Sequence, residues 1–300
     1  MSEFAGRKNM QLKRPSPRAS ERYRSALIMS LPALIGLAIF WFLPMFQAIN
    51  LGFRDFNMIS GRQTWAGIEN YLTAASDPLL RLTFGNTILY FLLEVPIQMA
   101  LALGLALLVQ RSLAWLRTII LIPTITSMVV VSVIWGLMYH PNSGLINSLL
   151  QSIGLPPQPF LISSQQAMPS IALLMVWKNV GFSMLFFLAG LVGIPRDYYE
   201  AAATDGANGV QLFRYITLPL LRGTIVFLLI TNTVTAFKVF TPIFLITKGG
   251  PVNATRVVVL YIFENAFRFN KMGYASAISV LLALFLLIVS VYSLRTSRAS

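Results

Sequence analysis

The chain is 300 residues long, 56% hydrophobic and only 11% charged, where a soluble domain carries roughly 25% charged residues. That balance excludes an ordinary water-soluble globule. The formal net charge of +13 raises the question of a nucleic-acid partner, and the absence of cysteine excludes disulfides and thiolate metal sites.

In chain order, residues 1–26 are basic, rich in Ser and Pro and poor in apolar side chains. They read as a disordered tail close to lipid headgroups. Six apolar runs follow, each near the roughly 20 residues that cross a bilayer: 27–51, 84–109, 118–139, 169–194, 224–246 and 275–294. Lipid offers the backbone no hydrogen bonds, so each run is expected to be a helix. Pro32, Pro44, Pro96, Pro123 and Pro242 are expected to kink them. The first run exceeds the roughly 7–15 residues of a signal-peptide core and is read as an uncleaved anchor. The expected fold class is therefore all-α and polytopic, with residues 295–300 as a short final tail.

Orientation follows from the Lys and Arg positions. With the N-terminus inside, fourteen lie on the cytoplasmic side: Arg7, Lys8, Lys13, Arg14, Arg18, Arg22, Arg24, Arg111, Arg117, Arg196, Arg214, Arg222, Arg295 and Arg298. Seven lie outside, four of them between 247 and 274, and Lys178 and Lys238 fall within runs. The excess places both termini inside. Positive-inside bias accounts for most of the +13, so the charge requires membrane lipid as a partner and no nucleic acid.

Between the fourth and fifth runs, residues 195–223 form a polar cytoplasmic loop containing YYEAAATDGANGVQLFRYITLPLL. Pro195, Asp197 and Glu200 suit the start of a helix, and Gly206 suits its end. Asn208 with Gln211 reads as a capping box opening a second short helix, which is expected to bring Val210, Phe213 and Thr217 onto one stripe. From these residues alone, an amphipathic connector resting on headgroups fits as well as a docking device.

Within the runs, Glu94, Lys178 and Lys238 lie about 12–15 Å below the outer ends at 1.5 Å per residue. Charges are costly in lipid and usually face a cavity. A shared interior, with Glu94 neutralising one lysine, and a packing-only ion pair are both compatible with their positions. Lys178 and Asn179 lie beside Phe182, and Asn232, Thr235, Ala236 and Val239 have one-face helical spacing. Hydrogen-bonding groups beside aromatic faces suit a sugar, and two lysines suit an anionic substrate such as a sugar acid or glycerol phosphate. His140 sits at an outer run end and reads as interfacial. The outer loop 141–168 is uncharged, with GLINSLL as a short surface helix. No cluster has metal-ligand spacing, and no nucleophile–base–acid set is apparent.

The loop EAAATDGANGVQLFRYITLPLL resembles the EAA loop of binding-protein-dependent ABC importer permeases. Glu200, Ala201, Ala202, Gly206, Ile216, Leu218 and Pro219 occupy that motif's positions. FLITKGGPVNAT, AFRFNKMGYASAISVLLAL, NTILYFLLEVPIQMALALGLALLV and WAGIENY resemble segments of the maltose-type carbohydrate branch, so the likeness spans most of the chain after Trp65.

The resemblance implies a type I importer permease fold in a bacterial or archaeal cytoplasmic membrane. It also implies a second homologous permease, two cytoplasmic ATP-binding subunits and an external solute-binding protein. The chain has no G-x-x-x-x-G-K-[ST] phosphate loop. No cofactor is expected on it, and ATP and Mg belong to the partner ATPases, so it is expected to be no enzyme itself. By position, Glu200 would meet a basic residue of the ATPase, and Gly206 would make the turn. Val210, Phe213 and Ile216 would supply apolar contacts. Lys178, Asn179, Phe182, Asn232 and Thr235 would line the substrate path. A secondary transporter using Glu94 and the lysines for a coupling proton, and a scaffold without a path, are the alternatives from other classes.

Overall fold

The structure, a computed structural model, describes residues 17–110 and 114–298. Arg7, Lys8, Lys13, Arg14 and Arg111 lie outside the described residues. The chain divides into two compact units, Met1–Asn50 and Leu51–Ser300.

In the first unit, α1 runs over Pro17–Leu37, passes through a wide five-residue turn at Ala38–Phe42, and continues into α2, Leu43–Gly52. Residues 17–26, expected to be disordered, are helical. Proline is favoured at the first helical position, and the residues after it are mostly tolerant helix formers. Phe40 and Trp41 are exposed.

The second unit opens with a short antiparallel pair, β1 (Arg54–Phe56) and β2 (Gln63–Trp65), in the register Arg54↔Trp65 and Phe56↔Gln63. This hairpin departs from the all-α expectation. Asn57 drives it by accepting from the amides of Ile59 and Ser60 at 2.9 and 3.1 Å, an Asx turn. Helix α3 covers Glu69–Ser76.

Helix α4, Pro78–Val109, starts six residues before the expected span. Asp77 caps it by accepting from Leu79 N at 2.8 Å and Leu80 N at 3.3 Å, with Pro78 in the first turn. Apart from Val95, its buried positions, Thr83, Thr87, Tyr90, Glu94, Gln98, Ala102, Ala106 and Val109, recur every three or four residues. This is a stripe with inverted polarity. The outer half buries polar groups and the inner half alanines, while Leu89, Leu92, Leu101 and Leu108 stay exposed. A bilayer explains it, because lipid accepts the leucines and rejects the hydroxyls and carboxylate.

The third span is broken. Helix α5, Ala114–Ile125, and α6, Met128–Met138, meet at 94°. Helix α7, Leu145–Ser152, is the surface helix expected from GLINSLL, held by buried Asn147, which donates to Pro141 O and Gln158 O. Helix α8, Ala167–Val192, is continuous and the most buried span. Helices α9 (Arg196–Thr204), α10 (Gly209–Leu212) and α11 (Leu218–Leu220) make up the polar loop.

Helix α12, Arg222–Phe237, has 16 residues, about 24 Å at 1.5 Å per residue, which is short of a bilayer core of about 30 Å. It bends by 65° from the segment before it, and the chain goes on outward through Ile243–Thr247, another wide turn. Helix α13, Val258–Phe263, precedes α14, Met272–Arg298. Among the described residues, four helices are thus long and apolar enough to span, and counting each bent pair as one span brings the number to six.

Helix α4 packs along α8, with α5 on α8 and α12 on α4. One apolar cluster joins Tyr90, Val131, Ile171, Leu174, Ile243 and Leu260, and a second joins Ala102, Ala106, Met184, Phe187, Leu191 and Leu228. Ala102 and Ala106 are fully buried, as small residues must be where membrane helices approach closely.

Candidate functional site

Two features of this frame carry chemistry. The first is a polar network inside the helices. Glu94, 2% exposed, accepts from Asn179 Nδ2 at 3.3 Å through Oε1. One turn further along α4, Gln98 Nε2 donates to Ser183 Oγ at 2.8 Å and to Asn179 O at 3.4 Å. Asn232 Nδ2 of α12 donates to the same Ser183 Oγ at 3.3 Å. Helices α4, α8 and α12 are therefore joined by one carboxylate, three amides and one hydroxyl. Among the described residues, Glu94 Oε2 and Tyr90 Oη, one turn before it, are both buried and close enough to interact with each other, but make no hydrogen bond of good geometry. Such groups are uncommon in a folded interior and carry a desolvation cost.

The ion pair envisaged between Glu94 and a lysine is not formed. Lys178, 7% exposed, donates instead to the carbonyls of Pro123 at 3.0 Å, Thr126 at 2.8 Å and Thr124 at 3.5 Å. These carbonyls belong to the last turn of α5 and the break after it, and Pro123 O also accepts from Thr126 N at 3.3 Å and Thr126 Oγ1 at 2.6 Å. Hydrogen bonds to a charged donor are worth roughly 1.5–3 kcal/mol each, enough to draw the ammonium away from Glu94. Lys238 is exposed and closes α12.

Asn179 and Asn232 are thus linked through Gln98 and Ser183, with Glu94 at the other end. Phe182 is exposed and tilts against Phe186 at 4.9 Å, outside the hydrogen-bonded set. Thr235 is exposed and donates to Thr231 O at 2.9 Å, so it does not share a face with buried Asn232 and Ala236. Val239 lies past the end of α12. Of the single face expected for 232–239, Asn232, Ala236 and Val239 are buried and Thr235 alone is turned outward. Gln98 and Ser183 were missed by the sequence reading. Their signal was the spacing: each lies four residues after a residue already singled out, Glu94 and Asn179, and hence one turn further along the same face.

The second feature is the polar arm. Helix α9 ends in Gly206 at φ +82°, a left-handed residue as expected of a glycine stop. The capping box is present: Asn208 Oδ1 accepts from Gln211 N at 3.0 Å, and Gln211 Oε1 accepts from Asn208 N at 2.7 Å. Tyr199 Oη and Thr217 Oγ1, 3.0 Å apart, tie the two halves of the arm together.

Glu200, Ala201, Gly206, Val210 and Pro219 are exposed, and Ala202, Phe213, Ile216 and Leu218 are half-buried. The stripe expected for Val210, Phe213 and Thr217 does not form. Val210 is 75% exposed and Thr217 4%, because the wide turn at Phe213–Thr217, in which Leu218 N bonds Phe213 O, shifts the helical phase.

On the outer side, Asp77 Oδ2 accepts from both Tyr261 and Tyr274 hydroxyls at 2.6 Å. Burial raises the Asp77 pKa, but these two bonds and the amides of Leu80 and Leu79 outweigh it and leave the carboxyl below its ordinary value. Asn86 Nδ2 holds the loop after Gly249-Gly250-Pro251 by donating to Asn253 O and Arg256 O. Glu264 is buried between Arg256 and Arg268, at 3.2 and 3.1 Å. His140 is exposed and bonds Ser143, consistent with an interfacial residue.

Membrane-length helices around a buried polar network, with a structured polar arm between the fourth and fifth spans, define a multi-pass transport subunit. The chain belongs to the family described as binding-protein-dependent transport system inner membrane component, whose model matches residues 99–297. It is thus a multi-pass inner-membrane protein.

It is 35% identical over 272 residues to the sulfoquinovosyl glycerol transport system permease protein SmoG of Agrobacterium fabrum, covering 89% of this chain and 88% of that protein. It is 34% identical over 284 residues to the trehalose/maltose transport system permease protein MalF of Thermococcus litoralis, covering 92% and 96%. Its fold is similar to that of a chain in the crystal structure of a bacterial ABC transporter involved in the import of the acidic polysaccharide alginate. That match has a TM-score of 0.81 at 25% identity and covers 94% of this chain and 98% of that one. The expected type I importer permease fold and the recognised family both stand.

Proposed function

We propose that this chain is one membrane-spanning half of an importer pathway for a carbohydrate or polyol-like solute. An external binding protein delivers the solute, and two separate ATPase subunits drive alternating access. A second, homologous permease completes the path. The ATPases dock on the arm 195–223, with Glu200 giving registry by charge and Gly206 the turn. Ala201, Ala202 and Val210 supply apolar contact, backed by Phe213, Ile216, Leu218 and Pro219. The chain carries no ATP or Mg of its own.

The observation that carries the solute class is the network Glu94–Asn179–Gln98–Ser183–Asn232. Its amides and hydroxyl both donate and accept, which suits a polyhydroxylated solute. Glu94 Oε2 and Tyr90 Oη, buried beside each other without a hydrogen bond of good geometry, could exchange that contact for solute hydroxyls. In the state described they are shielded, so the solute reaches them as the helices part. Phe182 and Thr235, exposed on their helices, would line the approach.

A second reading, an acidic saccharide, is favoured by exposed Lys238 and by the likeness to the alginate importer. Reconstitution with the partner subunits tests both. Vanadate-sensitive uptake of neutral sugars, weakened by Asn179→Ala, supports the first. Uptake of acidic sugars only, lost in Lys238→Gln, supports the second. Uptake that follows a proton gradient without any ATPase would instead indicate a secondary transporter.

A further inference from the structure

We propose that Lys178 is a positioning residue that sets the angle of the broken third span and does not touch the solute. This rests on the permease reading above. The geometry begins with donor arithmetic. An ammonium has three N–H donors and no acceptor, and Lys178 Nζ has three carbonyl oxygens around it, those of Pro123, Thr124 and Thr126. Two of these bonds are short, at 3.0 and 2.8 Å, and the third, to Thr124 O, is long at 3.5 Å, so the ammonium is already engaged by backbone without any solute. The three acceptors lie at the C-terminal end of α5 and in the break after it, where the helix dipole favours a cation, and Pro123 O is shared with Thr126 N and Oγ1.

A return bond closes the joint. Thr124 Oγ1 donates to Lys178 O at 3.0 Å. One turn along α8, a Cβ on Gly181 would lie 2.4 Å from Ile120 O and 3.2 Å from Thr124 Oγ1, so α5 lies on α8 with no room for a methyl group. Helix α6 has a further neighbour. It packs against Ile243–Thr247, where its Val131 joins the cluster of Val239 and Ile243, and it meets α8 through Ile171 and Leu174 in that cluster and through the Trp135 and Trp177 rings at 5.3 Å. The 94° bend at Thr126–Ser127 separates the half that Lys178 and Gly181 hold on α8 from the half that α8 shares with Ile243–Thr247. Helix α8 leads directly through Gly193 and Pro195 into α9 of the arm. A displacement of the arm therefore acts on α8 and, through this joint, on α5, and Lys178 fixes the angle at which α6 leaves α5.

The test uses the assembled importer in proteoliposomes. Lys178→Met keeps the length of the side chain and removes its donors, Lys178→Arg keeps donors, and Thr124→Val removes only the return bond. Hydrogen–deuterium exchange is followed in peptides covering 123–130, with 84–95 as reference, alongside solute KM and maximal uptake. Lys178→Met is expected to raise exchange at 123–130 about tenfold and to lower maximal uptake at unchanged KM, with the reference peptide unchanged. Lys178→Arg should restore most of both, and Thr124→Val should give a smaller rise in exchange.

A raised KM with unchanged exchange would make Lys178 a solute contact and overturn the proposal. Unchanged exchange with any uptake phenotype also overturns it. If Lys178→Met does not assemble, the exchange of Thr124→Val decides. If the wild type shows no ATP-driven uptake, the functional reading fails while the exchange result still judges the joint.

Discussion

Gly206 offers a clean perturbation of the arm. Its φ of +82° lies in a region where an L side chain costs roughly 1–2 kcal/mol. A Cβ added there meets nothing within 4 Å, so Gly206→Ala changes backbone preference without a clash inside this chain. A penalty of that size lowers the ratio of native to non-native turn by a factor of about 5–30. If ATPases dock on the arm as folded here, uptake at limiting ATPase concentration falls, by at most that factor, and excess ATPase recovers part of it. Asn tolerates left-handed backbone better than Ala, so Gly206→Asn should retain more activity. The assay is ATP-driven uptake in proteoliposomes titrated with purified ATPase, with copurification as the measure of assembly. Wild-type coupling in Gly206→Ala, or a larger loss in Gly206→Asn than in Gly206→Ala, would refute the argument from backbone conformation.

Three other outcomes are expected. Gly181→Ala forces its Cβ onto Ile120 O. Overpacking of this kind costs about 1–3 kcal/mol, and a lowered midpoint of thermal unfolding in detergent should register it. Asn208→Ala removes a cap worth about 0.5–2 kcal/mol and should speed proteolysis within 205–217 while leaving cleavage of the outer loops unchanged. Asp77 has a folded pKa below its ordinary value, so its contribution is complete above the unfolded carboxyl pKa of about 3.9 and is lost as pH falls through the lower folded value. The difference in unfolding midpoint between wild type and Asp77→Asn should hold constant from pH 7 to about 5 and shrink on further acidification; a difference that grows below pH 5 would contradict the assignment.

The parts of the fold legible in the sequence were those governed by local rules. Apolar run length located the spans, because lipid leaves the backbone no alternative to helix. Gly206 and the Asn208–Gln211 box announced the arm because each acts over three or four residues. The break at Thr126–Ser127 was less visible. Pro123 advertised a kink, but the large bend is stabilised by Lys178, more than fifty residues away in sequence, and no local pattern encodes that partner.

The same distance effect hid the partners of Lys178. Depth alone grouped it with Glu94, whereas its donors chose backbone carbonyls that only the tertiary packing presents. Val210 and Thr217 parted company because one wide turn altered the helical period. The Arg54–Trp65 pairing escaped notice because each strand has 3 residues, too few for alternation to stand out.

The bond between Tyr199 and Thr217 has a mechanical consequence. Two short helices joined only at a glycine would fold like a jackknife under load, and a push at Val210 would be absorbed in the turn. With the tyrosine as a cross-brace, the arm behaves as a small truss, rooted in α8 at one end and α12 at the other. It is stiff before anything presses on it, so contact need not first order a loose loop. Force applied at its tip arrives at two spans at once, as torque.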